Sequence, residues 1–583
     1  MKLHKFNLFL ISASLLLSSE MFAQDRTPFA SQDLPQGDAR AWSCAGKGLR
    51  LTWASADVLY LPDAQPPRCE RPDTVLHAWR GERIGLEALL YSQTDTAPVS
   101  LRLRSSHAAK AGSKAFEAEP HFLCYVVTDS FKTCGIHPDS LKPYLVPDCI
   151  DNAAPRTLQA RTLQPLWLTV EVARDAPKGI CSDVLEVVDA SGKVVASLNF
   201  SIDISSQTLP LPKDQRMHLD FWQQPYSVSR YYGVEPWSQR HIDLLRPYLE
   251  LLSRAGQKVT SAILFYEPWG EQSNDKFQPM VETTRLKDGT WQFAYDIFDK
   301  WVSLTDSYGM AQQINCFSMV PWDMSFRYFD AAADSFCVLK TTTATPEYRE
   351  LWTAFLKDFS RHLRSRGWLE RTRIAMDERG LQSMLEAWDV AQAAAPELKM
   401  ALAGNYHPEL AEKLADYCIP FGKQFPPKQR QYRRENKLVT TFYTCCTESH
   451  PNVFSNSDPA EAVSLPVYAL AYGYDGYLHW SWLNWTDNPL RDTRFKFWAP
   501  GDSYIVYPDA RSSVRWERFI EGIQLAEKVR LLSDALEDKC PRQAQRLSDA
   551  VKGFTTELLS TAGGAAQALR RLRKVMGEAE KEL

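Results

Sequence analysis

Eight short apolar runs recur between residues 217 and 482, each about the length of a strand, and longer amphipathic stretches separate many of them. The runs are MHLDFW, TSAILFY, AQQINCFSMV, RTRIAMD, KMALAGNY, DYCIPF, KLVTTFYT and GYLHWSW. A connecting stretch such as EYRELWTAFLKDFSRHLRSRG carries apolar residues at helical spacing. Strand and helix repeated over roughly 300 residues require parallel crossover units. Eight units suggest closure into a (β/α)8 TIM-like barrel, with a doubly wound open sheet as the alternative. In a closed barrel the loops after the carboxyl ends of the strands converge on one face, so residues at those ends take priority as functional candidates.

The preceding region has a different pattern. From Leu49 to Ile204 short alternating runs (LRLTW, RIGLEALLYS, VSLRLRSS, FLCYVVTD, LWLTVEVA, DVLEVV, VVASLNFSIDI) are separated by Gly, Pro and polar turns. That spacing predicts an antiparallel β-sandwich over 24–208. Leu209-Pro210-Leu211-Pro212 resists both helix and central strand and marks a boundary, so the barrel is assigned to 213–535. Residues 536–583 form a C-terminal helical tail, and the charge pattern of Gln543–Leu583 reads as a solvated face. A partner-binding helix is the functional alternative there.

Lys2 and Lys5 precede the apolar run Leu8–Leu17, and small or polar residues lead to Ala23-Gln24. This three-part pattern predicts a signal peptide over 1–23 and hence export, periplasmic or extracellular, with no stable membrane insertion once the signal is removed. Twelve cysteines then allow local disulfides, with Cys134–Cys149 and Cys44–Cys69 as candidate pairs and free buried thiols as the alternative. No CxxC pair and no HExxH occurs, and the acids Asp487, Asp492 and Asp502 match no calcium-loop spacing, so neither metal nor cofactor is expected. The 67 Lys and Arg against 71 Asp and Glu leave no basic excess for a nucleic-acid partner. The 18 Trp and 23 Tyr instead supply flat apolar faces with polar edges, which suit sugars.

The sharpest local feature is Arg373-Ile374-Ala375-Met376-Asp377-Glu378-Arg379-Gly380, an apolar strand running into two adjacent carboxylates. At a barrel strand end such a pair can divide its titrations so that one group stays protonated. Alternatively, Asp377 caps the following helix. A second feature is the indole-rich segment Tyr477-Leu478-His479-Trp480-Ser481-Trp482-Leu483-Asn484-Trp485. If strand alternation continues, Trp480 and Trp482 share a face and form a wall for a pyranose, with Asn484 bonding a hydroxyl; core packing is the other reading. Tyr443, Trp222, Asn405 and His479 occupy comparable strand ends and are taken as substrate-binding candidates, as are Asp220, Tyr266, Glu267, Tyr406 and His450 by position alone.

The Asp377-Glu378 strand end, the segment VTTFYTCCTESHPNVFSNSDPAEAVSLPVYALAYGYDGYLHWSWLNWTDNP, and GDSYIVYPD followed by SVRWERFIEGIQLAEKVRLL together resemble glycoside hydrolase family 123. The resemblance spans most of residues 30–535. It implies a β-N-acetylgalactosaminidase with an N-terminal β-sandwich, a (β/α)8 barrel and an adjacent Asp-Glu pair. Carried over, Glu378 is the general acid/base and Asp377 orients the 2-acetamido group of a glycan with a terminal N-acetylhexosamine. Relatives often carry proline after the pair, whereas Arg379 stands here, which bears on the shape of the loop and on substrate range. The implied reaction is retaining and substrate-assisted, through an oxazoline. Alternatives are a glycosidase for another sugar, pairing Glu378 with a distant carboxylate such as Glu448, or a glycan-binding protein without turnover on the same scaffold.

Overall fold

The computed structural model describes residues 27–105, 114–136, 138, 140–151, 155–495 and 497–582. The expected signal peptide lies outside the described residues. The N-terminal domain pairs a five-stranded sheet, in the order Leu49–Trp53, Arg83–Ser92, Leu163–Val172, Phe116–Thr128, Tyr144–Ile150, with a four-stranded sheet. The second sheet runs Asp73–Arg80, Val194–Thr208, Gly179–Asp189, Val99–Ser105. Alternate residues such as Leu86, Ala88 and Leu90 of one sheet meet Leu198, Phe200 and Ile202 of the other in a shared core. Pairing is antiparallel except between Asp73–Arg80 and Val194–Thr208, which run parallel.

All eight expected runs form one parallel sheet that curls into a barrel. In chain order the strands are His218–Phe221, Val259–Ile263, Gln313–Phe317, Thr372–Met376, Lys399–Ala403, Asp416–Pro420, Val439–Tyr443 and Gly476–His479. Several are buried along their whole length, so both faces must be apolar or internally bonded, and they read as continuous runs rather than alternating ones. The helix Pro346–Arg366 shows how a connection is delimited. Thr345 accepts from the Tyr348 N–H at the start, Pro346 occupies the first turn, and Gly367 ends the helix at φ 71°. Between the fifth and sixth strands turns replace the expected helix.

Side chains complete the seam between the first and second strands, where the backbone ladder reduces to one bridge, Leu219 with Gln257. The Gln257 amide accepts from the Phe221 N–H (3.0 Å) and donates to the Phe221 and Val259 carbonyls (3.1 and 2.7 Å). Gln223 reaches across in the same way, accepting from the Ser261 N–H at 2.9 Å. Two buried glutamines thereby satisfy backbone groups that a ladder would otherwise pair.

Two hairpins not foreseen in the sequence follow the second and third strands. They merge into a small sheet in the order Trp291–Ala294, Glu282–Arg285, Ser325–Asp330, Ser335–Lys340. The helix Val514–Leu536 is wedged between the domains. Arg83 of the sandwich pairs with Glu517 (2.7 Å), and the fully buried Arg515 binds Asp148 (2.8 Å) and the carbonyls of Val453 and Gly501. The tail is not simply a solvated face. Its charged residues, such as Arg546, Lys552 and Arg570, face solvent, while Leu547, Leu569 and Leu572 join the main core and Glu580 accepts from the Trp79 indole at 2.7 Å. Among the described residues no helix is long and apolar enough to cross a membrane.

The disulfide is neither of the expected pairs. Cys134 of the sandwich joins Cys446, 312 residues away, in the loop after the seventh barrel strand. Cys149 instead lies opposite Cys124 across two strands, both as buried thiols, and Cys44 and Cys69 are exposed thiols. Sequence proximity favoured the local pairs; domain packing brings the distant ones together.

Replacing Gln257 by Leu should cost about 1–3 kcal/mol, because it strands the Phe221 N–H at the buried seam, while the Phe221 carbonyl keeps its bond from Gln223. Urea unfolding of the purified variant checks this, and an unchanged midpoint would show that the seam needs no side-chain closure.

Candidate active site

A cleft opens at the carboxyl ends of the barrel strands, and seven of the eight strands or their following loops contribute to it. The first supplies Trp222 and Gln224, the second Trp269, Gln272 and Ser273, and the third Trp322. The fourth supplies Asp377 and Glu378, the fifth Ala403, and the seventh Tyr443, Cys445 and Cys446. Leu478, Trp480, Trp498 and Asp502 complete the lining from the eighth strand and the long loop after it. This is the face on which a closed parallel barrel gathers its variable loops.

The adjacent carboxylates, just past the end of the fourth strand at Met376, point into different environments. Asp377 is buried and Glu378 is exposed. One oxygen of Asp377 accepts from the Trp322 indole N–H (2.9 Å) and lies 3.4 Å from the Arg379 guanidinium; the other has no hydrogen-bond partner. Burial pushes the Asp377 carboxyl up to about 6, with Arg379 opposing and the neighbouring Glu378 adding to the rise. The phenol of Tyr443 donates to Glu378. Burial, reinforced by the Glu378 charge, holds the Tyr443 proton on. The backbone of Glu378 runs close to Gly404, just past the end of the next strand, where a Cβ would lie 3.3 Å from the Glu378 Cα. Asp377 does not cap the next helix, whose N-cap is Gly380.

Aromatic rings form the walls. Trp222 stacks on Trp269 at 5.2 Å and 19°, and Trp480 meets Trp498 at 5.3 Å. Trp498 also donates to the Gln272 carbonyl (3.0 Å), joining the loops after the second and eighth strands. The Trp480 indole donates to the buried Asp502 (3.1 Å), whose carboxyl burial pushes up to about 7.

Of the substrate-binding candidates, Tyr443, Trp222 and Trp480 line the cleft. Trp482, Asn484 and His479 do not. The strand ends at His479, so the alternation that would align Trp480 with Trp482 stops there. Trp482 packs against Phe221 and Trp516 (4.4 Å). Asn484 accepts from the Asn274 N–H (2.8 Å), and His479 bonds the Asp502 carbonyl (3.0 Å) with burial holding its imidazole down at about 3. Asn405 is exposed beyond the fifth strand, with its carbonyl bonded by Tyr417 (2.6 Å).

The positional candidates also have other partners: Asp220 with Asn315 (3.3 Å), Tyr406 with Gln429, Tyr266 beneath Arg327, and His450 with Glu461 (2.7 Å). Glu267 braces the second loop through the Phe277 N–H at 2.8 Å. Asp492 is paired with Arg494 (2.7 Å), and no cluster suited to a metal occurs among the described residues. Trp269, Trp322, Gln224, Trp498 and Asp502 were not anticipated as cleft residues. Both Pro268-Trp269 and Pro321-Trp322 stand just past a barrel strand, a shared signal that could have located the first two.

A (β/α)8 barrel presenting an acid pair and five tryptophans in a strand-end cleft has the build of a glycoside hydrolase. The family models agree. Residues 222–532 match the catalytic domain of glycoside hydrolase 123 and residues 53–189 its N-terminal domain, so the chain belongs to glycoside hydrolase family 123. A solved structure of a family 123 glycoside hydrolase from Clostridium perfringens, described in connection with glycolipid glycan hydrolysis, superposes with a TM-score of 0.81 at 23% identity. That match covers 92% of this chain and 98% of the other. A putative beta-galactosidase from bacteroides fragilis is much more distant, with a TM-score of 0.27 at 10% identity over 82% of this chain and 61% of its own. No curated protein matches the chain in sequence.

The raised Asp377 carboxyl has a consequence for stability. Because the folded value exceeds the unfolded one, stability falls as pH rises from about 4 to about 6, and the deficit is complete above that. Asp377→Asn should therefore stabilise the protein at pH 8 by roughly 1–3 kcal/mol and by much less at pH 4. Thermal melts at both pH values check this; a variant less stable than wild type at pH 8 would contradict it.

Proposed function

We propose that the protein is an exported exo-acting β-N-acetylgalactosaminidase that removes a terminal β-linked N-acetylgalactosamine from glycans, including those carried on lipids. The observation that carries this reading is the division of labour within the adjacent pair. Glu378 is exposed to the cleft beside Tyr443, while Asp377 is buried and already held by Trp322 and Arg379. A buried, oriented carboxylate next to an accessible one suits a reaction in which the substrate supplies its own nucleophile.

In that reaction the protonated Glu378 donates to the glycosidic oxygen as the C1–O bond breaks, and the acetamido carbonyl oxygen attacks C1 from the opposite face. Asp377 accepts the acetamido N–H and stabilises the positive charge developing on the oxazolinium ring. In this reading Tyr443, now on Glu378, turns its hydroxyl to the acetamido oxygen once substrate is seated. Glu378, left as carboxylate, then takes a proton from the water that opens the ring at C1, so configuration is retained. Trp222, Trp269 and Trp480 offer flat faces for the C–H side of the sugar. Glu448, the partner in the two-carboxylate alternative, accepts from the Cys445 N–H (2.9 Å) and the Thr447 hydroxyl (2.7 Å) and is not among the residues lining the cleft. The family relationship and the lipid-glycan context of the Clostridium perfringens structure support the substrate class, and the N-terminal sequence pattern supports export.

Aryl N-acetyl-β-galactosaminide should be hydrolysed in preference to the N-acetylglucosamine and galactose analogues. Both Glu378→Gln and Asp377→Asn should lower kcat by about 10²-fold or more. Turnover of the plain galactoside at a comparable rate would sink the acetamido reading.

A further inference from the structure

Arg379 makes or breaks no bond in the chemistry just described, yet its surroundings are unusually well defined. Its guanidinium lies 3.4 Å from the centroid of the Trp322 ring. The same group approaches both Asp377 oxygens, Nε at 3.4 Å from Oδ1 and the terminal nitrogen at 3.4 Å from Oδ2. Trp322 closes the triangle by donating its indole N–H to Oδ2. Both charged side chains are largely withdrawn from water, at 12% exposure for Arg379 and 9% for Asp377, while Trp322 is 44% exposed at the mouth of the cleft. The far side of the triangle is anchored as well, since the Trp322 backbone N–H donates to the Pro268 carbonyl (2.9 Å).

We infer that Arg379 is a positioning residue: clamped against the face of Trp322, it fixes the rotamer of Asp377 and sets its positive charge against that carboxylate. The planar guanidinium suits this place because it can stack on an indole and still direct N–H groups sideways at a carboxylate, which a lysine ammonium cannot do. Two donors secure Oδ2, which leaves Oδ1 without a hydrogen bond. The charged groups facing Asp377 are Arg379 and Glu378; Glu378 in turn faces Tyr443 and Glu448. Arg379 is the cation among them, and it opposes both the burial and the neighbouring negative charge. This inference deepens the acetamido reading in what it says about catalysis. Its account of the ionisation of Asp377 stands independently.

The test is a cycle of Arg379→Gln, Asp377→Asn and the double variant, melted from pH 4 to pH 9, together with pH profiles of kcat/KM on whichever aryl glycoside the wild type turns over. Arg379→Gln should lower the melting temperature by an amount that grows as pH rises through about 6, and the growing part should vanish in the Asp377→Asn background. The acid limb of its activity profile should move up by about one pH unit or more. Activity should fall about tenfold near pH 6 and recover substantially by pH 8, with kcat moving more than KM. Arg379→Lys should restore part of the stability at high pH without restoring full kcat. A melting penalty that is the same at every pH and indifferent to Asp377 would overturn the inference and leave Arg379 as packing for Trp322. Should no substrate be turned over, the stability cycle still decides the point, so failure of the functional reading and failure of this inference are distinguishable.

Discussion

Withdrawing one carboxylate from water at the end of the fourth barrel strand is the constraint around which the functional face is arranged. An isolated buried carboxylate would take up a proton, so the fold must surround Asp377 with donors and positive charge. Trp322 from the third loop and Arg379 from its own loop do this. Glu378 is thereby left on the open side with Tyr443 from the seventh strand. The closed barrel is what allows contributions from the third, fourth and seventh strands to meet, since its loops all end on one face.

The sandwich and the helix Val514–Leu536 act on this face indirectly. Arg515 draws carbonyls from the seventh- and eighth-strand loops onto a guanidinium that also binds Asp148 of the sandwich. The Cys134–Cys446 disulfide ties the sandwich to the loop just past Tyr443, and Cys446 itself lines the cleft. A wall built from loops has little secondary structure to stiffen it, and these cross-domain ties supply that stiffness. The N-terminal domain is therefore part of the frame of the cleft.

The barrel was legible in the sequence because parallel strands buried on both faces are written as unbroken apolar runs, and all eight appear where such runs occur. Asp377 and Glu378 were legible because they break one of those runs at its end. What was not legible depends on long-range geometry. The disulfide spans 312 residues, and the seam depends on where the Gln223 and Gln257 side chains reach. Trp482, Asn484 and His479 were misplaced for a local reason. Extrapolating the two-residue period past His479 assumed a strand that had already ended, and the indole, amide and imidazole turned inward to core partners. The tail's charges do lie on a solvated face, and its sparse buried leucines, which the charges overshadow in the sequence, pack the other side into the core.

The claim on which the functional account rests is that the substrate's acetamido oxygen attacks C1 while Asp377 holds the N–H. The most direct measurement is kcat for a series of aryl 2-acetamido-β-galactosides whose acetyl group carries zero, one, two or three fluorines. Fluorine withdraws electron density from the carbonyl oxygen and leaves the glycosidic bond nearly unchanged. The account predicts a steep, monotonic fall in kcat across the series. A rate indifferent to fluorination would contradict it and return the nucleophile to the protein or to water.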